Sequence, residues 1–356
     1  MSEAKASYRL FSADVDWKDI ENRSSGPARF FRSVWAVFKA MLMMLSPSRR
    51  VLLLLAIVLL WLPPAIHLNL SHVPRINFQI NLRGWGIAIL FVLLALELAD
   101  RVTMKRDLVI AREIQEWLVP DSPPSVPGLD IAFATRPQNT VAGDYYDAFL
   151  RSTPVHDSGK QPLLVAVADV AGKSVPAALL MATFQASLQA LTATSSTLDE
   201  VVIGLDRYCR AHSLDGRRFT TAFLAEIDVE THEMQYVNAG HNEPILRRAT
   251  GAIQRLSTGG PPFGIPIFSQ STASYPSGRV QLQKGDILFI FTDGVVEAVN
   301  DVDEEYGESR LLACVQGLTS ESASATLARV MGEVNAFVGS ARQYDDITTL
   351  VVNVTT

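Results

Sequence analysis

The sequence predicts an α+β protein: a two-sheet β-sandwich flanked by helices, preceded by a transmembrane helical hairpin. Three observations favour this architecture. The chain has 356 residues, more than the 100 to 200 of an average domain, which indicates at least two units. Two almost uncharged apolar blocks lie near the N-terminus. After residue 120, strand–turn–strand segments with paired helices replace strict strand–helix alternation, which favours antiparallel or mixed sheets.

The composition excludes a disordered chain and a nucleic-acid-binding protein. Hydrophobic residues make up 48% of the chain, enough for a packed core. Residues 1–100 carry 11 Lys and Arg against 7 Asp and Glu, whereas residues 101–356 carry 20 against 30. The acidic part lacks the clustered basic residues that nucleic acid requires. The basic part suits an anionic membrane surface. Cys209 and Cys314 are too few for a disulfide framework and predict a reducing compartment.

The two apolar blocks, residues 51–68 and 85–98, are interpreted as transmembrane spans. Each is short of the roughly 20 residues that a span needs, and the second reaches that length only if Arg83 snorkels to the interface. Basic residues flank the pair on both outer sides, which predicts that both ends lie in the cytoplasm. The hypothesis is therefore a multi-pass protein of the cytoplasmic membrane with residues 51–100 as the hairpin. The alternative is two core helices of a soluble domain.

The N-terminal 50 residues are predicted to be cytoplasmic, with an interfacial helix at residues 30–45, where aromatic, methionine and basic residues mix. Residues 101–120 are predicted to form a linker helix that ends at Pro120. Its heptad seam has only about two repeats, so a coiled-coil homodimer and a helix packed on its own domain both stay open. The dimer interpretation makes this helix the gate of the C-terminal domain. The seam comprises Met104, Leu108, Ala111, Gln115 and Leu118.

Residues 121–356 are predicted to form one domain of strands and helices. Strands are expected at 129–134, 163–170, 220–228, 234–237, 287–291 and 347–354, and helices at 175–191, 198–212, 309–317 and 320–337.

Four aspartates carry the predicted chemistry, because each lies at the edge of an expected strand: Asp144, Asp169, Asp293 and Asp345. Any one of them alone is typical of a turn or a helix cap. Together they can meet at one end of a sandwich, where four ionised carboxylates would repel each other. Mg²⁺ or Mn²⁺ suits such an all-oxygen site. Two ions can activate a water and neutralise a phosphoryl group.

An ordered set of motifs resembles the bacterial phosphatase domains of the SpoIIE/RsbU type. The resemblance covers residues 104–354. The motifs are 111–115 (AREIQ), 143–147 (GDYYD), 169–173 (DVAGK), 176–181 (PAALLM), 220–222 (TTA), 238–242 (NAGHN), 291–295 (FTDGV) and 344–350 (YDDITTL).

The resemblance implies a metal-dependent serine/threonine protein phosphatase of the PPM class, similar to protein phosphatase 2C, with an αββα fold and two Mn²⁺ or Mg²⁺ ions. It implies a metal-activated water as the nucleophile and a phosphorylated anti-sigma-factor antagonist as the partner in a sigma-factor pathway. The implied metal ligands are the four aspartates with the Val170 carbonyl. Asp147 and Asp346 are implied as neighbours that orient waters.

Several further positions have two interpretations. Lys173 and Asn242 are candidates for substrate binding, although a solvated lysine and a turn asparagine explain them equally well. His241 is either a proton donor to the leaving oxygen or, as we favour, a residue that stabilises its turn. Ser174 departs from the family, which often has a glycine there.

Two other functions stay open on the sequence alone. One is a two-metal nucleotide phosphoryl-transfer enzyme, which would also use aspartates at strand ends. The other is a membrane-bound interaction module with a vestigial site.

Overall fold

The computed structural model describes residues 45–68, 78–151, 161–213, 216–265, 275–318 and 322–356, together with isolated positions between 35 and 43. The chain divides into two compact units, residues 1–105 and 106–356. The interfacial helix predicted for residues 30–45 lies almost entirely outside the described residues.

In its described residues, the N-terminal unit contains two helices and a small β-hairpin. Helix α1 spans Pro47–Trp61, strands β1 (Ala65–Leu68) and β2 (Phe78–Asn81) pair antiparallel, and helix α2 begins at Leu82 and continues to Leu118. The sequence led us to expect one apolar helix through residue 68, and this was wrong. The helix ends at Trp61, because the following Pro63 and Pro64 lack the amide hydrogens that would continue it.

The two helices of this unit approach closely at Gly86. A Cβ atom there would lie 3.1 Å from the Ala56 carbonyl oxygen, and small residues permit such contacts between membrane helices. Arg49 Nη1 lies 2.6 Å from Asp100 Oδ2 and ties the hairpin at its charged end. With 15 residues, α1 is about 22 Å long, shorter than a hydrocarbon core of about 30 Å.

Two of the described helices are long and apolar enough to cross a membrane, α2 and α3 (Ser174–Thr194). Helix α3 belongs to the C-terminal unit, where one of its faces is buried against a sheet through residues such as Met181, Phe184 and Leu188. Because α3 packs inside its own domain, α2 is the stronger membrane candidate.

The C-terminal unit is a two-sheet sandwich, as predicted. In its described part, one sheet has the strand order β10-β7-β6-β5-β4 with β11 also on β7, and the other has the order β3-β13-β12-β8-β9. The described pairs are antiparallel except β10 with β7. The strands are β3 (Leu129–Arg136), β4 (Tyr145–Leu150), β5 (Leu163–Val170), β6 (Thr220–Ile227), β7 (Glu233–Ala239), β8 (Ile245–Arg247), β9 (Ile253–Arg255), β10 (Gly259–Gly260), β11 (Gly278–Gln281), β12 (Ile287–Phe291) and β13 (Ile347–Val354).

Three apolar layers hold the sandwich together. The middle layer lies between the sheets and includes Val165, Phe223 and Leu350. Helices α3 and α4 (Leu198–Ala211) cover the β5 sheet, and helices α5 (Gly307–Gln316) and α6 (Ala323–Val338) cover the β13 sheet. Strands β5 and β13 are apolar along most of their length because both of their faces are buried.

Candidate active site

The four predicted aspartates meet at one end of the sandwich. Asp169 lies near the end of β5 and Asp293 closely follows β12, whereas Asp144 and Asp345 come just before β4 and β13. Their charges act on one another: Asp293 and Asp345 both raise the pKa of Asp169, and Asp169 raises that of Asp144. The structure therefore brings together all four carboxylates that the sequence singled out.

Gly294 allows this approach. The short 3₁₀ turn Asp293–Val295 packs directly on the backbone that leads into β13, and a Cβ atom on Gly294 would lie 1.9 Å from the Asp346 carbonyl oxygen. No side chain fits there. The glycine thus lets Asp293 stand beside Asp345.

Asp346 braces the loop that carries Asp144. Its two carboxylate oxygens accept hydrogen bonds from the backbone amides of Gln138 and Gly143, each at 2.6 Å. On Gly143, a Cβ atom would lie 3.3 Å from the Val170 carbonyl oxygen, so this carbonyl faces the same loop. The loop, the carbonyl and Asp144 therefore form one side of the cleft.

Asp147 has a different environment. Its carboxylate accepts hydrogen bonds from the Tyr145 hydroxyl at 2.7 Å and from Gln189 Nε2 at 2.9 Å, on the side of the sheet that α3 covers. These contacts link β4 to α3, and Asp147 does not join the other acids in the cleft.

The cleft opposes the ionised form of its own carboxylates. Burial, followed by the charge of Asp169, raises the pKa of Asp144 well above its usual range. Burial, followed by the charges of Asp293 and Asp345, raises the pKa of Asp169 to about 7. Burial is also the main cause of the raised pKa values of Asp293 and Asp346. A bound cation would remove this penalty.

Lys173 supplies part of that positive charge. Its ammonium group donates hydrogen bonds to Asp345 Oδ2 at 2.8 Å and to the Tyr344 carbonyl at 2.6 Å. In this arrangement, no group of three or more His, Cys, Asp or Glu side chains among the described residues is set to hold a metal ion. The donor chemistry nevertheless fits Mg²⁺ or Mn²⁺, because the clustered groups offer oxygen atoms alone.

His241 lies inside the domain next to the cleft. Its Nδ1 is 3.0 Å from Thr221 Oγ1, and Thr221 pairs with Asp169 between β6 and β5. Its backbone amide donates to Asn238 Oδ1 at 2.7 Å. Burial lowers the pKa of His241 to about 4, so the imidazole is neutral at physiological pH. This environment fits the turn-stabilising role better than proton donation.

The role of Asn242 in substrate binding stays a prediction. The side chain is partly exposed in the turn after β7, and it makes no hydrogen bond to the described residues. Ser174 has a φ of 61°, in the left-handed region. Glycine adopts this region more readily, which explains why the family often has a glycine at this position.

The sequence did not predict that Gln115 and Arg218 hold the backbone beside the cleft. Gln115 Nε2 donates to the Ala142 carbonyl at 2.7 Å, and the Ala142 amide donates to Gln115 Oε1 at 2.9 Å, two residues before Asp144. Arg218 Nη1 donates to the Ala171 carbonyl at 3.3 Å, two residues after Asp169. Gln115 could have been singled out because it belongs to the AREIQ motif. Arg218 belongs to no motif that the sequence showed.

Solved structures share this architecture. The PP2C domain of SiaA from Pseudomonas aeruginosa aligns with a TM-score of 0.61 at 19% identity, and the alignment covers 72% of the present chain and 98% of that domain. The C-terminal unit thus has the fold of a PP2C domain.

The chain belongs to the SpoIIE family. The family described as Stage II sporulation protein E (SpoIIE) matches residues 159–355, more than half of the chain. Protein IcfG of Synechocystis sp. is 26% identical over 73% of the chain and 43% of its own length. Phosphoserine phosphatase RsbU of Bacillus subtilis is 30% identical over 54% of each. The chain thus spans about half the length of these curated relatives.

Proposed function

We propose that this protein is a metal-dependent serine/threonine phosphatase that dephosphorylates a regulatory protein. The observation that carries the proposal is the set of four carboxylates at one end of the sandwich, where burial raises the pKa values of Asp144, Asp169 and Asp293 and the charge of a neighbouring aspartate raises each of them further. An aspartate that only stabilises a turn would gain no stability from lying beside other carboxylates. Mutual repulsion of this kind is costly unless the cluster serves to hold cations.

The residues that would hold two divalent ions are Asp144, Asp169, Asp293, Asp345 and the Val170 carbonyl. Bound there, such ions supply an activated water and neutralise the negative charge of the phosphoryl group. Other residues of the chain shape the cleft. Gly294 lets Asp293 and Asp345 approach each other, and Asp346 holds the loop before Asp144. Thr292 Oγ1 donates to Asp144 Oδ2 at 2.9 Å and orients that carboxylate.

The relatives suggest the substrate class. RsbU and RsbP of Bacillus subtilis are both named phosphoserine phosphatases. We therefore infer a phosphoserine or phosphothreonine on a regulatory protein, with an anti-sigma-factor antagonist as the expected partner. The apolar length of α2 supports a membrane tether, which would place the catalytic unit at the cytoplasmic face of the membrane.

The test is to purify the full-length protein and measure phosphate release with Mn²⁺ from a phosphoserine protein and from ATP. We expect hydrolysis of the phosphoprotein with a strict need for the metal. Turnover of ATP alone would favour the nucleotide phosphoryl-transfer alternative. No turnover of either substrate, together with no Mn²⁺ binding, would favour a vestigial site.

A further inference from the structure

A mixed apolar and basic surface borders the cleft on the side of α3. It consists of Val175, Leu179 and Thr183 of α3 together with Arg218 and Phe219, which precede β6; we call it the α3–β6 rim. Leu179 is 64% exposed, although it lies in the middle of an otherwise apolar helix. Val175 and Phe219 are also exposed. An exposed apolar surface of this kind is typical of a site that contacts another protein.

The strand register places this rim beside the cleft. Thr221 pairs with Asp169 and Thr220 with Val170, and the Ala171 amide continues the ladder by donating to the Phe219 carbonyl at 2.9 Å. Arg218 then stands opposite Gly172, whose φ is 121°. A Cβ atom on Gly172 would lie 2.5 Å from Arg218 Nη1, so the guanidinium lies against the loop that follows Asp169.

Arg218 is the one basic residue of the rim, and it lies at the end of an arginine-rich segment within an acidic domain. Residues 207–218 contain four arginines and one aspartate, whereas residues 101–356 as a whole carry 20 basic against 30 acidic residues. Arg210 is paired with Asp206 at 2.8 Å. Arg218 makes one hydrogen bond to the described residues, a bond to a carbonyl oxygen, so most of its five N–H donors can face an anionic partner.

The rim is a surface and not a ligand pocket. The cavity beside it, between Thr183, His212 and Phe219, has a volume of about 20 Å³, which is room for roughly one water molecule. A small molecule does not fit there. A protein segment lying across the rim would contact the exposed apolar side chains and the guanidinium at the same time.

We propose that the α3–β6 rim is the docking surface for the phosphoprotein, and that it selects acidic and apolar residues next to the phosphorylated serine. The proposal rests on the proposed phosphatase function. Arg218 would pair with a carboxylate of the substrate, while Leu179 and Phe219 would cover apolar side chains. The continuity of the rim with the cleft and the positive charge of Arg218, opposite to that of an acidic segment of the substrate, carry the proposal.

The test uses synthetic phosphoserine peptides of one length whose flanking residues are acidic or basic, with the full-length protein and Mn²⁺. We expect the wild type to favour the acidic peptide by about tenfold in kcat/KM, a typical effect of one interfacial charge pair. Arg218→Glu should reverse this preference, and Arg218→Lys should keep most of it. The control is Arg279→Glu, an exposed arginine on the edge strand β11, which should leave the preference unchanged.

Leu179→Asp gives a second readout. It should lower kcat/KM more for peptides with flanking leucines than for p-nitrophenyl phosphate, which has no flanking residues. If Arg218→Glu hydrolyses p-nitrophenyl phosphate and retains the wild-type peptide preference, the docking proposal is wrong and the phosphatase proposal stands. If the wild type hydrolyses neither peptide nor p-nitrophenyl phosphate, the phosphatase proposal is wrong, and the docking proposal fails with it.

Discussion

Burial has the largest effect on the carboxylates of the candidate site, and repulsion among them adds to it. Burial and the charges of Asp293 and Asp345 raise the pKa of Asp169 to about 7, so removing one acid relieves its neighbours. The loss of Asp169 or Asp293 is therefore compatible with a stable fold. The same loss removes a ligand that the proposed reaction needs.

We accordingly expect Asp169→Ala and Asp293→Ala to lower kcat by roughly a thousandfold or more, which corresponds to about 4 kcal/mol of transition-state stabilisation. Phosphate release under a Mn²⁺ titration measures the effect, and circular dichroism checks the fold. Asp303→Asn, a change in an exposed turn, is the matched control and should retain wild-type turnover. Near-normal kcat in either alanine variant would remove that residue from the site.

Lys173 competes with metal ions for Asp345, because its ammonium group lies 2.8 Å from Asp345 Oδ2. Both side chains are partly exposed, so the ion pair is a weak one. We expect Lys173→Met to tighten Mn²⁺ binding by roughly two- to fivefold, measured by isothermal titration calorimetry. Lys284→Met, outside the cleft, serves as the control. Weaker Mn²⁺ binding in the Lys173 variant would mean that the lysine assists the site.

His241 should lower the stability of the catalytic unit in acid, opposite in sign to the contribution of the carboxylates whose pKa values are raised in the folded protein. Its pKa is about 4 in the folded protein and about 6.5 in an unfolded chain, so the unfolded state binds an extra proton between these values. The contribution of the neutral His241 to the free energy of unfolding is therefore fully present above pH 6.5 and is lost as the pH falls towards 4. At pH 5.5 the loss is about 1 kcal/mol.

Urea unfolding of residues 106–356 at pH 7.5 and 5.5 measures this loss. We expect His241→Asn to flatten the difference between the two pH values, even if the variant is less stable overall. An unchanged difference would show that other groups cause the acid sensitivity.

The site residues differ in how far the sequence could predict them. Asp169, Asp293 and Asp345 lie at the ends of apolar runs that predict strands, a local signal that needs no knowledge of the fold. The strand after Asp144 was not predicted. The roles of Asp346 and Arg218 depend on which backbone groups lie opposite, as when the Gly143 amide donates to Asp346 from a distant part of the chain. Such contacts follow from strand register, which one sequence does not display.

Among the structural elements, α2 is the one for which the sequence left two kinds of packing open. The heptad seam was a candidate dimer interface, yet Gln115 in this seam bonds to Ala142 of its own domain, and Leu108, Ala111 and Leu118 are partly buried. This arrangement supports the alternative of a helix packed on its own domain. A different stripe of α2 is exposed and apolar: Ile110, Ile114 and Trp117, the last 84% exposed.

If the protein is a dimer through α2, this stripe is the face that the second copy would cover. We expect Ile114→Asp combined with Trp117→Asp to shift the full-length protein to a monomer in sedimentation experiments. Ile203→Asp, an exposed residue on α4, is the control and should leave the oligomeric state unchanged. A double variant that sediments like the wild type would place any dimer contact elsewhere.

The elements that the sequence predicted best are those with the strongest apolar pattern. Strands β5, β12 and β13 have the predicted bounds, because continuous apolar runs of about five to eight residues between polar turns are typical of buried strands. Strand β4 was not predicted as a strand. It contains Asp147, whose carboxylate accepts hydrogen bonds from Tyr145 and Gln189, and those contacts depend on the fold around it.

In the whole molecule, an N-terminal unit that we propose to be anchored in a membrane precedes a C-terminal unit with the fold of a PP2C domain. Basic residues on both sides of the apolar blocks predict that both termini are cytoplasmic. Reporter fusions after Ser25 and after Thr356 should therefore read cytoplasmic, and a fusion at His72 should read external. A cytoplasmic result at His72 would mean that α1 does not cross the membrane. The test is demanding because α1 has only 15 residues, fewer than a span usually needs.

The central claim is that the aspartate cluster holds two divalent ions and uses them to release phosphate from a protein. The most direct measurement follows Mn²⁺ binding by calorimetry and phosphate release from a phosphoserine protein in the same titration of the full-length chain. The account predicts two ions bound per chain, with turnover rising as the sites fill and both signals absent in Asp169→Ala. Turnover that is independent of Mn²⁺, or that persists in Asp169→Ala, would contradict it.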